Sequence, residues 1–364
     1  MRLIVQAVIR PYLSSLAVAL SLAALAETPA EPSAGGLPFG LSPVGFRVVT
    51  TTDAARDNRV VRIHVWYPAT SSAQPIKLGD YLGTDDGGRR EQVADLTSLT
   101  NRLFGPAPDG ALDAILNTPM RATRDAASAA GRAPLIVASL RPLSNAHTFE
   151  ILASHGYVVG AVAYSPVTTG AGAPLEREGR STDGLRRDLD TAISRLRPEP
   201  FVAPGPVGAF GFSGAGVPAI ALAAARGDVT ALALFETGWH GSLGSSLSAI
   251  PGFELARVRA PLLFVWGAGM DAADAHLGDL RAMASQPKTI AWTRAAGLAH
   301  WDLATEGYLS AADPHWRTAD RAAVRAVFEE ANALLVGFFD QHLRGRPAAA
   351  LQAPHFKLEA LTTR

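Results

Sequence analysis

From Pro134 onward the chain repeats one pattern, a short apolar run followed by a segment with helical periodicity. The runs are "PLIVASL", "YVVGAVAY", "PVGAFGF", "TALALF", "PLLFVW" and "KTIAW". Polar residues do not alternate within them, so both faces of each run must be covered, as in the strands of a parallel sheet. Between them lie "HTFEILASHG", "DGLRRDLDTAISRLR", "GVPAIALAAARG" and "DAHLGDLRAMAS", which suit right-handed crossover helices. A last amphipathic stretch, "ADRAAVRAVFEEANALLVGFFDQHLRG", predicts a C-terminal helix packed on the same sheet. These features predict an α/β fold with a mostly parallel central sheet flanked by helices, in a single domain.

Upstream the pattern changes. "VGFRVVT" and "RVVRIHVWYP" are alternating and β-branched, and they predict an antiparallel strand pair near a sheet edge. Residues from about 75 to 130 are expected to form an irregular excursion that partly covers a site. They carry the breakers "TDDGG" and "GPAPDG" and two weak helical patterns, "REQVADLTSLTNRL" and "ALDAILNT". The first 26 residues have Arg2 and Arg10, then "SSLAVALSLAALA", and end on Ala24-Leu25-Ala26. That is the pattern of a signal peptide cleaved near Ala26, which implies export to the periplasm or the cell exterior. Arg10 and Pro11 leave the uninterrupted apolar segment short of the ~20 residues a membrane span needs, so no stable anchor is expected after processing. Residues 27–43 are Pro/Gly-rich and are expected to be a disordered lead-in, with the single domain running from 44 to 364.

Composition excludes several classes of function. The chain has no cysteine, which rules out disulfides and a thiolate nucleophile. Lys+Arg and Asp+Glu are both 33 and are scattered, so the basic field that a nucleic-acid partner requires is missing. Small neutral molecules are the expected partners, and no metal or organic cofactor is implied.

One turn stands out. "VGAFGFSGAG" ends an apolar run on Ser213, at the carboxyl end of a strand, where open parallel sheets collect ligands. Gly211 and Ala215 lie two residues either side, and Gly214 and Gly216 keep the corner small, giving a G-x-S-x-A motif. The serine is either a nucleophile or a helix N-cap. A nucleophilic serine needs a base, and the base needs an orienting group. His300 in "GLAHWDL" follows the last apolar run and is the candidate base. Two acids compete for the third role. Glu236 ends "TALALF", 23 residues after Ser213, and Asp271 follows "PLLFVW", 58 residues after it. A carboxylate at the tip of a wholly apolar strand needs a partner, which favours Glu236.

With these residues in this order, the chain resembles the α/β-hydrolase superfamily, and within it the platelet-activating-factor acetylhydrolase and dienelactone-hydrolase-like esterases. The resemblance runs over about residues 44–343, through "VRIHVWYPA", "APLIVAS", "ILASHGYVVGAVAYSP", "VGAFGFSGAG", "ALALFETGW", "APLLFVWGAG" and "GLAH". It implies a serine esterase acting through an acyl-enzyme on small or short-chain esters; the alternatives are a lipase, an amidase, or a catalytically weak or inactive binding protein on the same scaffold. The acetylhydrolase pattern carries the acid over to Glu236, and the dienelactone-hydrolase pattern to Asp271. The resemblance also implies an oxyanion hole made by the Gly214 N–H and an amide after "PLIVAS". The family commonly has His-Gly there, but this chain has Leu140-Arg141-Pro142. Pro142 has no N–H, so the second donor falls to Arg141 or Leu143. Phe212 stands where the family commonly has a histidine before the serine.

Overall fold

The computed structural model describes residues 38–71, 74–83, 89–104, 106, 109–139, 143–163, 181–237, 247–267, 277–311, 321–347 and 353–362. The proposed signal peptide and most of the lead-in lie outside them. The apolar runs form β5 (Ala133–Ser139), β6 (Val158–Val162), β7 (Val202–Phe212), β8 (Val229–Phe235), β9 (Leu262–Trp266) and β10 (Lys288–Thr293). They pair in parallel in the order β6-β5-β7-β8-β9-β10. β1 (Val44–Asp53) and β2 (Arg59–Pro68) form the expected antiparallel pair, and β2 joins the sheet antiparallel to β6.

The pair does not end the sheet. The stretch expected to be irregular contributes β3 (Pro75–Lys77) and β4 (Pro119–Arg124), which lie beyond β1, as well as α1 (Arg89–Phe104) and α2 (Ala111–Leu116). At the far edge a further strand, β11 (Phe356–Ala360), pairs antiparallel with β10. Further α-helices are α3 (Ala146–Ser154), α4 (Thr182–Leu196), α5 (Gly216–Ala225), α6 (Leu277–Ala282), α7 (Thr305–Ser310) and α8 (Arg321–Arg344). None of the described helices is long and apolar enough to cross a membrane.

Alternation along the strands sorts the core into two layers. Ile136, Ala138, Phe210 and Phe212 face Phe149 and Leu152 of α3 and Val327, Leu335 and Phe339 of α8. Leu135, Val137, Val207 and Ala209 face Leu189 and Ile193 of α4 and Val217 and Ile220 of α5. Helices therefore cover both faces of the parallel strands, which is why those strands are apolar throughout.

The N-terminal flank is fastened differently, through a buried polar knot. Glu150 of α3 has no exposed surface. Its Oε1 accepts the Tyr81 hydroxyl and the Ala122 N–H, both at 2.8 Å, and its Oε2 accepts the Arg121 N–H at 3.0 Å. Tyr81 in turn accepts the Trp66 indole N–H at 2.9 Å. Burial pushes the Glu150 carboxyl up to about 7 against the pull of its hydrogen bonds, and raises the Tyr81 phenol well above its ordinary value. One carboxyl thus ties β4 and the Leu78–Tyr81 turn to α3.

Candidate active site

Ser213 and Glu236 are the first residues past the ends of β7 and β8. The two strands pair so that Phe212 sits opposite Phe235, which places the two polar residues side by side at one edge of the sheet. The chain must turn sharply at both points. Ser213 has φ 54° and Glu236 has φ 50°, a left-handed conformation that non-glycine residues adopt at a cost. Tight packing enforces the corner. A Cβ on Gly211 would run into the Gly216 backbone, and one on Gly216 into the Thr237 side chain. The small residues around Ser213 are therefore a steric requirement of the turn. Pro218 falls in the first turn of α5, where its missing N–H costs little.

His300 comes from the Ala299-to-Leu303 segment after β10. It sits at the start of a short 3₁₀ turn (His300–Leu303), where the Asp302 carboxylate accepts the Ala299 N–H at 2.7 Å. Its imidazole bridges the two strand ends. Nε2 lies 2.8 Å from Ser213 Oγ, and Nδ1 lies 3.2 Å from Glu236 Oε2. A carboxylate only accepts, so Nδ1 donates its proton to Glu236 and leaves the Nε2 lone pair facing the serine hydroxyl. Glu236 Oε1 accepts the N–H of Gly267, the first residue after β9. The Glu236 side chain is fully buried, whereas that of His300 is 29% exposed, so the bridge opens to solvent on the histidine side.

Two aromatic rings flank the imidazole. Phe212 stacks on it with centroids 5.0 Å apart and planes 29° apart, and Trp301 stands at 85° to it with centroids at 5.4 Å. Phe212 and Trp301 also touch, at 5.5 Å. In the sequence, Phe212 is distinguished only as a departure from the family pattern. The contact has no local sequence signal, since Phe212 ends β7 whereas His300 lies in the turn after β10.

Of the other residues singled out, Leu143 is buried at the start of the turn into α3. That turn is fastened to the segment just past His300. The Thr305 N–H donates to the Ser144 carbonyl at 2.7 Å, the His147 N–H to Thr305 Oγ1 at 3.2 Å, and the Ser144 hydroxyl to Glu306 Oε1 at 2.7 Å. Gly214 follows Ser213 in the elbow and is half-buried. Arg141 and Asp271 lie outside the described residues. Among those described, no group of three or more His, Asp or Glu side chains is arranged to hold a metal ion.

No protein-family model matches the sequence, and no curated protein matches it either. Solved structures do. A ferulic acid esterase from Streptomyces cinnamoneus superposes with a TM-score of 0.62 at 20% identity, over 88% of this chain and 97% of that one. A puromycin hydrolase gives 0.49 at 14% identity, over 86% of this chain and 41% of its own. A cold-adapted esterase from an Arctic intertidal metagenomic library gives 0.45 at 13% identity, over 76% and 95%. The first likeness, together with the mostly parallel sheet and its antiparallel N-terminal pair, shows the α/β-hydrolase fold.

Proposed function

We propose that the protein is an exported serine hydrolase that cleaves carboxylic esters through an acyl-serine intermediate. The observation that carries this reading is the imidazole of His300, in contact with the Ser213 hydroxyl on one side and the buried Glu236 carboxylate on the other. A serine hydroxyl is a poor nucleophile until its proton has somewhere to go, and this contact gives it an acceptor held in one tautomer.

In the proposed reaction Ser213 Oγ attacks the ester carbonyl carbon while its proton moves to His300 Nε2. Glu236 accepts from Nδ1 throughout and balances the charge on the ring. The carbonyl oxygen becomes an oxyanion, stabilised by the Gly214 N–H and by a second amide from Leu143 or Arg141. Each such donor contributes ~3 kcal/mol to the barrier reduction. The intermediate collapses, and the alcohol leaves with the proton from Nε2. A water molecule then gives a proton to Nε2 and attacks the acyl carbon. When that second intermediate collapses, the carboxylic acid is released and Ser213 regains its proton.

An ester as substrate agrees with the esterase that shares this fold. Small or short-chain acyl groups are the substrate class proposed. The basic and apolar N-terminus supports export, and small neutral esters suit a chain whose charges balance.

Hydrolysis of p-nitrophenyl esters from acetate to palmitate, alongside an anilide, tests the reading. The expected result is fastest turnover of acetate or butyrate, abolished in Ser213→Ala. A preference for palmitate would make the protein a lipase, and faster cleavage of the anilide an amidase. Saturable binding of an ester by folded protein, with no turnover, would make it a binding protein on this scaffold.

A further inference from the structure

We propose that the face of the Phe212 ring stabilises the charged form of the His300 imidazole, making Phe212 a positioning residue that acts on the reaction through the base. The inference rests on the reading of Ser213 as nucleophile and His300 as base. During each half-reaction the imidazole takes a proton and becomes a cation. An aromatic face within about 6 Å of a cation attracts it through the ring quadrupole, and more strongly where water is partly excluded. Phe212 meets that requirement, with its centroid 5.0 Å from that of the imidazole and a 29° angle between planes. The Phe212 side chain is also buried and belongs to the core layer beneath the site, so its ring is held in place.

The surroundings leave Phe212 a distinct part to play. Glu236 meets the ring at Nδ1, on its edge rather than its face. Asp302, two residues further on, is turned to the Ala299 N–H, and Glu306 of α7 accepts from Ser144. Trp301 stands across the imidazole at 85° and packs on Phe212, closing the aromatic corner. The carboxylate therefore serves the charged ring along its edge, and Phe212 serves it across its face. Neutral imidazole gains little from the same stacking. The contact is thus stronger in the transition state than in the ground state, which is the condition for it to accelerate the reaction.

The test is the rate at which a fluorophosphonate labels Ser213, measured against pH by intact mass. Phe212 is replaced by 4-fluoro- and 3,4,5-trifluorophenylalanine, and separately by leucine. Fluorination drains the ring face of negative charge while keeping its shape. The inference predicts a graded fall in the plateau rate, about 3- to 10-fold for Phe212→Leu. It also predicts that the pH of half-maximal labelling moves down by about half a unit to one unit, because a less stabilised cation gives up its proton at lower pH. The fluorinated proteins keep the native ring shape and so remain informative if the leucine variant fails to fold. A plateau rate and midpoint that ignore fluorination would overturn the inference and leave Phe212 a packing residue. Wild type that takes no label at any pH would instead overturn the reading of Ser213 on which the inference stands.

Discussion

Glu236 and Glu150 are both carboxylates removed from water, one at the tip of β8 and the other within α3. Their surroundings differ in how the oxygens are used. Glu150 receives a hydroxyl and two backbone N–H groups, all from the flank it fastens, so both of its oxygens are engaged by the fold. Glu236 receives one backbone N–H, from Gly267, and turns its other oxygen to an imidazole that is open to solvent. Burial alone therefore does not mark a candidate catalytic carboxylate. What separates the two is that Glu236 faces a group able to change its own charge, and that the backbone is forced into φ 50° to bring it there.

The largest effect that would sharpen this contrast is on activity. Glu236→Gln should lower kcat by roughly 10³- to 10⁴-fold through loss of the tautomer and of charge balance, with the fold retained. Asp271→Asn should stay within a few-fold of wild type. The reverse pattern in ester hydrolysis would transfer the third role to Asp271.

Glu150→Ala should have the opposite profile. It strands the Tyr81 hydroxyl and the Arg121 and Ala122 N–H groups, so denaturant unfolding should show a loss of about 3 kcal/mol or more. Activity of the folded fraction should move less than threefold.

A smaller effect concerns pH, and the sign follows from the proton balance. Burial pushes Glu150 up to about 7 from 4.5, so between these values the folded chain holds a proton that the unfolded chain has released. The contribution of Glu150 to stability is then full below about pH 4.5 and declines by about 3 kcal/mol as the pH rises to 7. His147, one turn earlier on α3, is pushed by burial down to about 4 from 6.5. Its contribution is full above pH 6.5 and declines as the pH falls to 4. The two slopes oppose each other between pH 4.5 and 6.5, so together these two residues should add little pH dependence there. Glu150→Gln should unmask a stability that rises with pH, and His147→Phe one that falls, both read from melting temperature across that range. Parallel curves for the two variants would break the account of α3.

The smallest expected change concerns the elbow. Gly216→Ala should cost about 1–3 kcal/mol by overpacking against Thr237, with a modest loss of rate as Ser213 shifts.

The same contrast between regions explains what could be read from sequence. The six parallel strands were legible because two covered faces demand unbroken apolar runs. Ser213 and His300 were legible because in such a sheet the order of elements assigns them to one edge. Glu236 stood out as an acid ending an apolar strand. The flank and edge strands gave no such signal. β4, "PMRATR", buries Met120 and Ala122 and leaves arginines outward, and β11, "FKLEA", buries only Phe356. A strand with one covered face or one neighbour need not be apolar, so its composition resembles that of a loop. Contacts made across the fold were also hidden. Phe212 meets His300 only after the four strands β7 to β10 have been laid in register, and Gly267 meets Glu236 only once β9 has paired with β8.

The most direct test of the central claim is the intact mass of the protein after exposure to a fluorophosphonate, with Ser213→Ala treated in parallel. The account predicts a single adduct on wild type, mapped to Ser213 and absent from the variant. No adduct on folded wild type, or an adduct that persists in Ser213→Ala, would contradict it.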